Sequence, residues 1–155
     1  LDWIDEGYII GTEGDVVDAA FIKELVLEKA ELYDIESIGF DRYNSSQLVI
    51  ELGHEGVTME PFGQGFVSMN TPTKALEKMV VSGEFNHGGQ PVLAWNADNV
   101  VLETDAAGNI KVSKKKSTEK VDGIVALVMS IGEWLDYIKK EEEKDAYSNR
   151  GIRLL

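Results

Sequence analysis

Hydrophobic positions recur along this chain with two periods, and the alternation between them predicts a mixed order of helices and strands. Ile22, Leu25, Val26 and Lys29 share one face of a segment that Asp18 is placed to cap, with Lys23, Glu24, Glu28 and Glu31 mostly opposite; this predicts an amphipathic helix reaching about Tyr33, laid over one face of a sheet. Ser37 to Phe40 is a short apolar run and reads as a buried strand. Cap-type residues Asn44, Ser45 and Ser46 then precede Leu48, Val49 and Leu52, a helix that Gly53 ends. A second strand from Val57 to Glu60, closed by Pro61, completes a βαβ rhythm and predicts that part of the sheet is parallel.

Further along, Thr71 and Pro72 read as a cap with proline at the first helical position, opening a helix through Ala75, Leu76, Met79 and Val80 that Gly83 stops. Val92 to Trp95 suggests a short helix. Val100 to Leu102 and Ile110 to Val112, around Asp105-Ala-Ala-Gly108-Asn109, suggest a hairpin running into three lysines. From Val121 the apolar residues Ile124, Val125, Val128, Ile131, Leu135 and Ile138 return at threes and fours. Ala126, Leu127 and Met129 fill the other sides, so a core helix buried nearly all round in its first turns is expected. Near the amino end, Tyr8–Ile10 and Val16–Val17 flank Gly11 and Gly14 as two possible short strands. The dense charge beyond Lys139 reads as a loosely ordered tail, residues 141–155, after a domain covering 1–140.

Composition narrows the function classes. The 155 residues carry 28 acidic and 15 basic side chains, a formal charge of −13, so nucleic acid is repelled except where lysines are grouped. The absence of cysteine removes disulfides, thiolate nucleophiles and cysteine-type zinc sites, and fits a reducing, cytoplasmic setting. The longest solid apolar run, Ile124 to Met129, is far short of the roughly 18 residues that suggest a membrane span. No G-x-x-x-x-G-K-[ST] stretch occurs, so these residues hold no P-loop. The chain opens on Leu1 rather than Met, which suggests a piece of a longer protein.

Two carboxylates carry the candidate chemistry. Asp41 stands at the carboxyl end of the Ser37–Phe40 strand, the edge of an α/β sheet where ligands and metals are usually held. Asp122 heads the core helix in Lys120-Val-Asp122-Gly-Ile-Val-Ala126. Each has an ordinary alternative, Asp41 as a turn aspartate and Asp122 as a helix cap. Together they form a pair suited to Mg²⁺, which takes oxygen ligands and keeps its waters, and two such ions about 4 Å apart activate water for phosphodiester hydrolysis. Lys114, Lys115 and Lys116, with Lys111 and Lys120 nearby, form the one basic cluster and suit a DNA backbone, although a merely solvated loop has the same composition. His87, beside Gly88 and Gly89, is a lone loop histidine, while Trp3, Trp95 and Trp134 fit core positions better than a stacking platform.

In their order these residues resemble the C-terminal nuclease domain of the tailed-phage terminase large subunit. The resemblance rests on Trp3-Ile-Asp-Glu-Gly7 through Thr12, Ile38-Gly-Phe-Asp41-Arg-Tyr-Asn44, Gln64-Gly-Phe-Val-Ser68, Thr71 to Leu76, His87, Pro91-Val-Leu-Ala-Trp95, Asp105 with Gly108-Asn-Ile110, Lys114, and Lys120-Val-Asp122-Gly-Ile-Val-Ala126, and it spans roughly Trp3 to Ile131. It implies a ribonuclease-H-like mixed sheet flanked by helices, and a two-metal endonuclease site using Mg²⁺ or Mn²⁺. Asp41 and Asp122 would match the family's second and last acidic ligands, and Lys114, Lys115, Lys116 and Lys120 would meet double-stranded DNA. The family's first catalytic aspartate and its ATPase domain lie upstream of the matched segment. The resemblance therefore implies an amino-terminally truncated domain that cuts DNA in its parent protein, in the host cytoplasm, with terminase small subunit and portal protein as partners. Taken alone, the chain would bind metal weakly and cleave poorly, with self-association through an exposed sheet edge a further expectation. A non-catalytic packaging or assembly module, such as a prophage remnant of the same fold, is the alternative, and a junction-resolving nuclease of that fold is disfavoured by the match beyond the aspartates.

Overall fold

The computed structural model describes residues 3–12, 14, 18–42 and 46–149. Among these, five helices and four short strands follow one another as α1 (Ala19–Leu32), β1 (Ile38–Phe40), α2 (Ser46–His54), β2 (Met59–Pro61), α3 (Phe66–Val81), α4 (Pro91–Asp98), β3 (Leu102–Thr104), β4 (Ile110–Val112) and α5 (Asp122–Asn149). Among the described residues the strands form two pairs, β1 with β2 in parallel and β3 with β4 antiparallel.

The βαβ unit follows the sequence pattern. Ile38 donates to the Thr58 carbonyl at 2.9 Å, and Phe62 donates to the Phe40 carbonyl at 2.8 Å, bracketing a register in which Ile38 faces Met59 and Phe40 faces Pro61. Thr58 and Phe62 belong to the alternate set that bonds across this ladder, so the missing N–H of Pro61 points away from β1 and costs no bond. Asn44 and Ser45, the expected caps of α2, lie outside the described residues. In α1 the Asp18 carboxylate accepts from the Ala20 and Phe21 amides at 2.9 and 3.1 Å, the expected cap. The helix does not cover a sheet as expected; it packs on α2, and Lys23 pairs with Glu55 at 2.9 Å and Glu51 at 3.9 Å. No residue of α1 is fully buried, which is why its charged face dominates its packing.

Three further expectations are corrected. Pro72 does not open its helix, which begins at Phe66 and carries the proline inside it. Burial of Met69, 1% exposed, and of Pro72 and Thr73 against α5 outweighs the hydrogen bond that the proline withholds from the Ser68 carbonyl. Tyr8–Ile10 is turn and bend rather than strand, and Val16–Val17 lies outside the described residues. The expected loose tail is helical as far as Asn149, in keeping with its run of Glu and Lys and a Lys144–Glu141 ion pair one turn apart. Residues 150–155 lie outside the described set.

The core centres on the first half of α5. Val128, Val121 and Val125 are at most 4% exposed and meet Met69 and Leu76 of α3, Phe62 after β2 and Val112 of β4. One side of α5 is nevertheless open, contrary to burial all round: Ala126 and Ser130 are exposed and Trp134 is 52% exposed. Trp3 and Trp95 instead pack edge to face, with ring centroids 5.6 Å apart.

Phe62 lies so close to α5 that a Cβ at Gly132 would fall 2.4 Å from the ring. Gly132→Ala is expected to destabilise the chain by roughly 1–3 kcal/mol, the cost of overpacking a filled core. Urea unfolding of the two proteins measures it, and an unchanged midpoint would mean that the ring moves aside freely.

Candidate active site

Both parallel strands run antiparallel to α5. The Glu36 carboxylate faces Tyr137 and raises the pKa of its hydroxyl; Ser37 Oγ donates to Glu133 Oε2 at 3.1 Å; a Cβ on Gly39 would meet Glu133 Cγ at 3.1 Å. Beside them, Phe62 is level with Gly132, and the Gln64 amide, further along the same strand direction, reaches Met129 Sδ at 3.9 Å. The carboxyl ends of β1 and β2 therefore point the same way as the amino-terminal head of α5. Asp41, half-buried, is two residues beyond Gly39, and Asp122 opens α5 eleven residues before Glu133. At about 3.3 Å per strand residue and 1.5 Å per helical residue, their backbones are offset by on the order of 10 Å along the helix.

The head of α5 is capped from another helix, and the Asp122 carboxylate keeps only a minor hydrogen bond from its own amide. The Gly123 amide donates to Asn96 Oδ1 at 2.8 Å, and Asn96, 5% exposed at the end of α4, is fixed in place by burial. A Cβ at Gly123 would stand 2.9 Å from that oxygen, so the glycine admits the asparagine. Sequence reasoning missed Asn96 because a cap supplied from another helix has no local spacing. The Asp122 carboxylate turns outward to Lys114, with Nζ 2.8 Å from Oδ1. The hydrogen bond from Lys114 holds the Asp122 carboxyl below the usual aspartate range, and the charges of Lys114 and Lys120 add to the effect against a partial burial cost.

The lysine loop is thus partly committed. Lys116 pairs with Glu103 at 3.2 Å and Lys111 reaches the same carboxylate at 3.9 Å, so the Glu103 pKa is lowered, chiefly by the hydrogen bond from Lys116. Lys111 also stands 5.1 Å above the Phe66 ring. Lys115 and Lys120 are exposed and form no ion pair among the described residues. His87 is exposed and stacks on Phe85, with centroids 6.4 Å apart, away from both aspartates in sequence and on a different loop.

The donor chemistry suits a hard divalent cation. Carboxylate oxygens, with no cysteine in the chain, match Mg²⁺ or Mn²⁺, and one or two carboxylates plus waters and a substrate phosphate are a common Mg²⁺ set. Among the described residues no group of three or more His, Asp or Glu side chains is gathered closely enough to hold a metal by itself.

Comparison with known proteins gives a consistent family. The family model described as "Terminase large subunit, endonuclease domain" matches residues 1–137. The chain is 37% identical over 132 residues to the terminase large subunit of Enterobacteria phage HK97, covering 84% of this chain and 26% of that protein. It is 30% identical over 155 residues to Protein YmfN of Escherichia coli (strain K12), covering 99% of this chain and 34% of that protein. The crystal structure of the HK97 bacteriophage large terminase aligns with a TM-score of 0.78 at 36% identity, over 85% of this chain and 28% of that one. The chain spans about a quarter to a third of the length of these relatives.

The Lys114–Asp122 pair yields a titration with a defined sign. Lys114→Gln is expected to raise the Asp122 pKa toward the usual range, read from its carboxyl ¹³C shift. Because the folded-state pKa is depressed, the pair's stabilisation is present above the ordinary aspartate value and is lost as pH falls from there through the lowered folded value. It is worth less than about 1 kcal/mol at such exposure. Unfolding curves of variant and parent should therefore converge in acid; a difference that persists there would mean that the substitution acts through packing.

Proposed function

Because the chain belongs to the family of terminase large subunit endonuclease domains, we propose that it is the DNA-cutting module of a viral genome-packaging terminase, with Asp41 and Asp122 as its metal-ligating carboxylates. The observation that supports this reading is the shared direction of the β1 and β2 ends and the α5 head, together with the Asn96 cap at Gly123, beside which the Asp122 carboxylate stands in an exposed ion pair with Lys114. The fold is of the ribonuclease-H-like kind, consistent with the likeness to the HK97 terminase.

A pair of divalent ions held there would activate a water and stabilise the leaving oxygen of a DNA phosphodiester. The chain's own residues prepare for this. Asp122 stays ionised at neutral pH because Lys114 and the positive end of the α5 dipole favour its charged form. Asp41 is held at the strand end by the β1–β2 ladder. Lys115 and Lys120 extend the site's positive charge toward a DNA backbone. Concatemeric double-stranded DNA is the substrate of this reading, and a terminase small subunit and a portal protein are the partners that it implies.

A second reading is a non-catalytic packaging or assembly module of the same fold, such as a prophage-borne remnant. It is favoured by the want of a third acidic ligand among the described residues. The two readings differ in metal response. With Asp41 and Asp122 in one site, millimolar Mn²⁺ or Mg²⁺ is expected to raise the melting temperature, by about 2.7 kcal/mol of stabilisation at a hundredfold excess over Kd. Asp41→Asn and Asp122→Asn should each abolish the rise and reduce Mn²⁺-dependent nicking of plasmid DNA by roughly tenfold or more. A melt indifferent to metal in the parent chain would favour the assembly module.

A further inference from the structure

The clefts formed by Glu133 with Asp136, by Ser37 with Trp134, by Leu76 with Leu93 and by Lys111 with Lys115 differ in the sign of charge that lines them. The three larger ones are acidic: Glu60, Glu133 and Asp136 against Lys140 in the first, Glu133 in the second, Glu77 and Asp98 in the third. The smallest, about 240 Å³, is lined by Lys111, Lys114 and Lys115 against Glu103, together with Gln64 and Ser113. Glu103 is already matched by Lys116 and Lys111, so the cleft is net positive in a chain of charge −13.

This cleft adjoins the candidate site from two sides. Lys114, in its wall, contacts Asp122 at 2.8 Å, and Gln64 stands at the carboxyl end of β2, next to the strand that ends in Asp41. The Gln64 amide is underused: it donates to a thioether sulfur at 3.9 Å, a weak acceptor. Lys115 is exposed and forms no ion pair among the described residues. A neutral amide donor and a lysine without an ion pair, lining one concave site, are the set that a phosphate oxygen accepts from, whereas a base edge or an apolar ligand would leave Lys115 unmatched.

We propose that this cleft is a phosphodiester subsite, in which Lys115 and Gln64 grip a backbone phosphate of DNA next to the one cut, and so set the register of the strand over Asp41 and Asp122. Gln64 is then a positioning residue that the lysine pattern alone did not indicate. The naming of DNA as the ligand rests on the function proposed above, but the grip itself needs no metal.

The test is therefore made in EDTA, by fluorescence anisotropy of a short DNA duplex titrated with the 155-residue chain across a range of salt. Lys115→Gln is expected to weaken binding about three- to tenfold and to lower the salt slope by roughly 0.9, the loss of one phosphate contact. Gln64→Leu should weaken it about threefold with the slope unchanged, since no charge is lost. Lys140→Gln, which removes the same charge from an acidic cleft, should stay within twofold; melting curves of all three check that they fold. Equal weakening by Lys140→Gln and Lys115→Gln, parent-like binding by Gln64→Leu, or no duplex binding by the parent would each overturn the proposal. The expected pattern in EDTA, combined with no nicking in Mn²⁺, would uphold the subsite while overturning the nuclease.

Discussion

The contact of Phe62 with Gly132 is the constraint on which the arrangement of the site depends. Three-residue strands make few ladder bonds, and the β1–β2 pair could not hold a fixed height against α5 by itself. The ring, 8% exposed and seated where α5 has no side chain, locks β2 to the helix, and the Ser37–Glu133 bond locks β1 beside it. The direction and height of both strand ends relative to Asp122 follow from these two contacts. A larger residue at Gly132 would push the strands off the helix and carry Asp41 with them.

A second dependency lies at the head of α5. A helix start leaves amide donors that must be met, and an aspartate there would ordinarily be consumed in meeting them. Here Asn96 of α4 meets Gly123 instead, held by its burial. The carboxylate is thereby relieved of the Gly123 amide and keeps only a minor hydrogen bond from its own. The same logic runs through Asp18 and Asp105, which do keep structural work. Asp18 caps α1, and Asp105 closes the β3–β4 turn by accepting from Ala107 and Asn109.

The parts of the fold that were legible in the sequence are those set by local period and turn chemistry. The βαβ order around Asp41, the hairpin around Gly108, the short helix from Pro91 and the core helix from Val121 all follow from spacing that a reader can count, and the mixed α/β, ribonuclease-H-like architecture agrees with the HK97 likeness. What misled was local grammar overridden by burial. Thr71-Pro72 has the form of a helix start, yet Met69 and Phe66 upstream gain more from packing than the proline loses. Ala126 and Ser130 sit in an apolar run but face outward, because the described elements cover only one side of α5 there. At the site, Asp41 and Asp122 could be singled out by position, but not Asn96 or Gln64. Both are placed by tertiary contacts with helix α5, at Gly123 and at Met129, that have no sequence spacing of their own.

The pairing of Asp122 with a lysine bears on how the site can exchange partners. An ion pair with side chains 49% and 65% exposed is worth little, since water screens it and both side chains give up freedom to form it. An arginine in that place would bind the carboxylate by two parallel hydrogen bonds and be harder to displace; the lysine ammonium is a single charge on a flexible stem. Lys114 therefore keeps Asp122 ionised without occupying it firmly. A cation held there, as the proposed function requires, would replace only an interaction of small free energy, and Lys114 would remain in the wall of the adjoining cleft. The loop that pairs with the carboxylate is thus the same loop that lines the net-positive cleft.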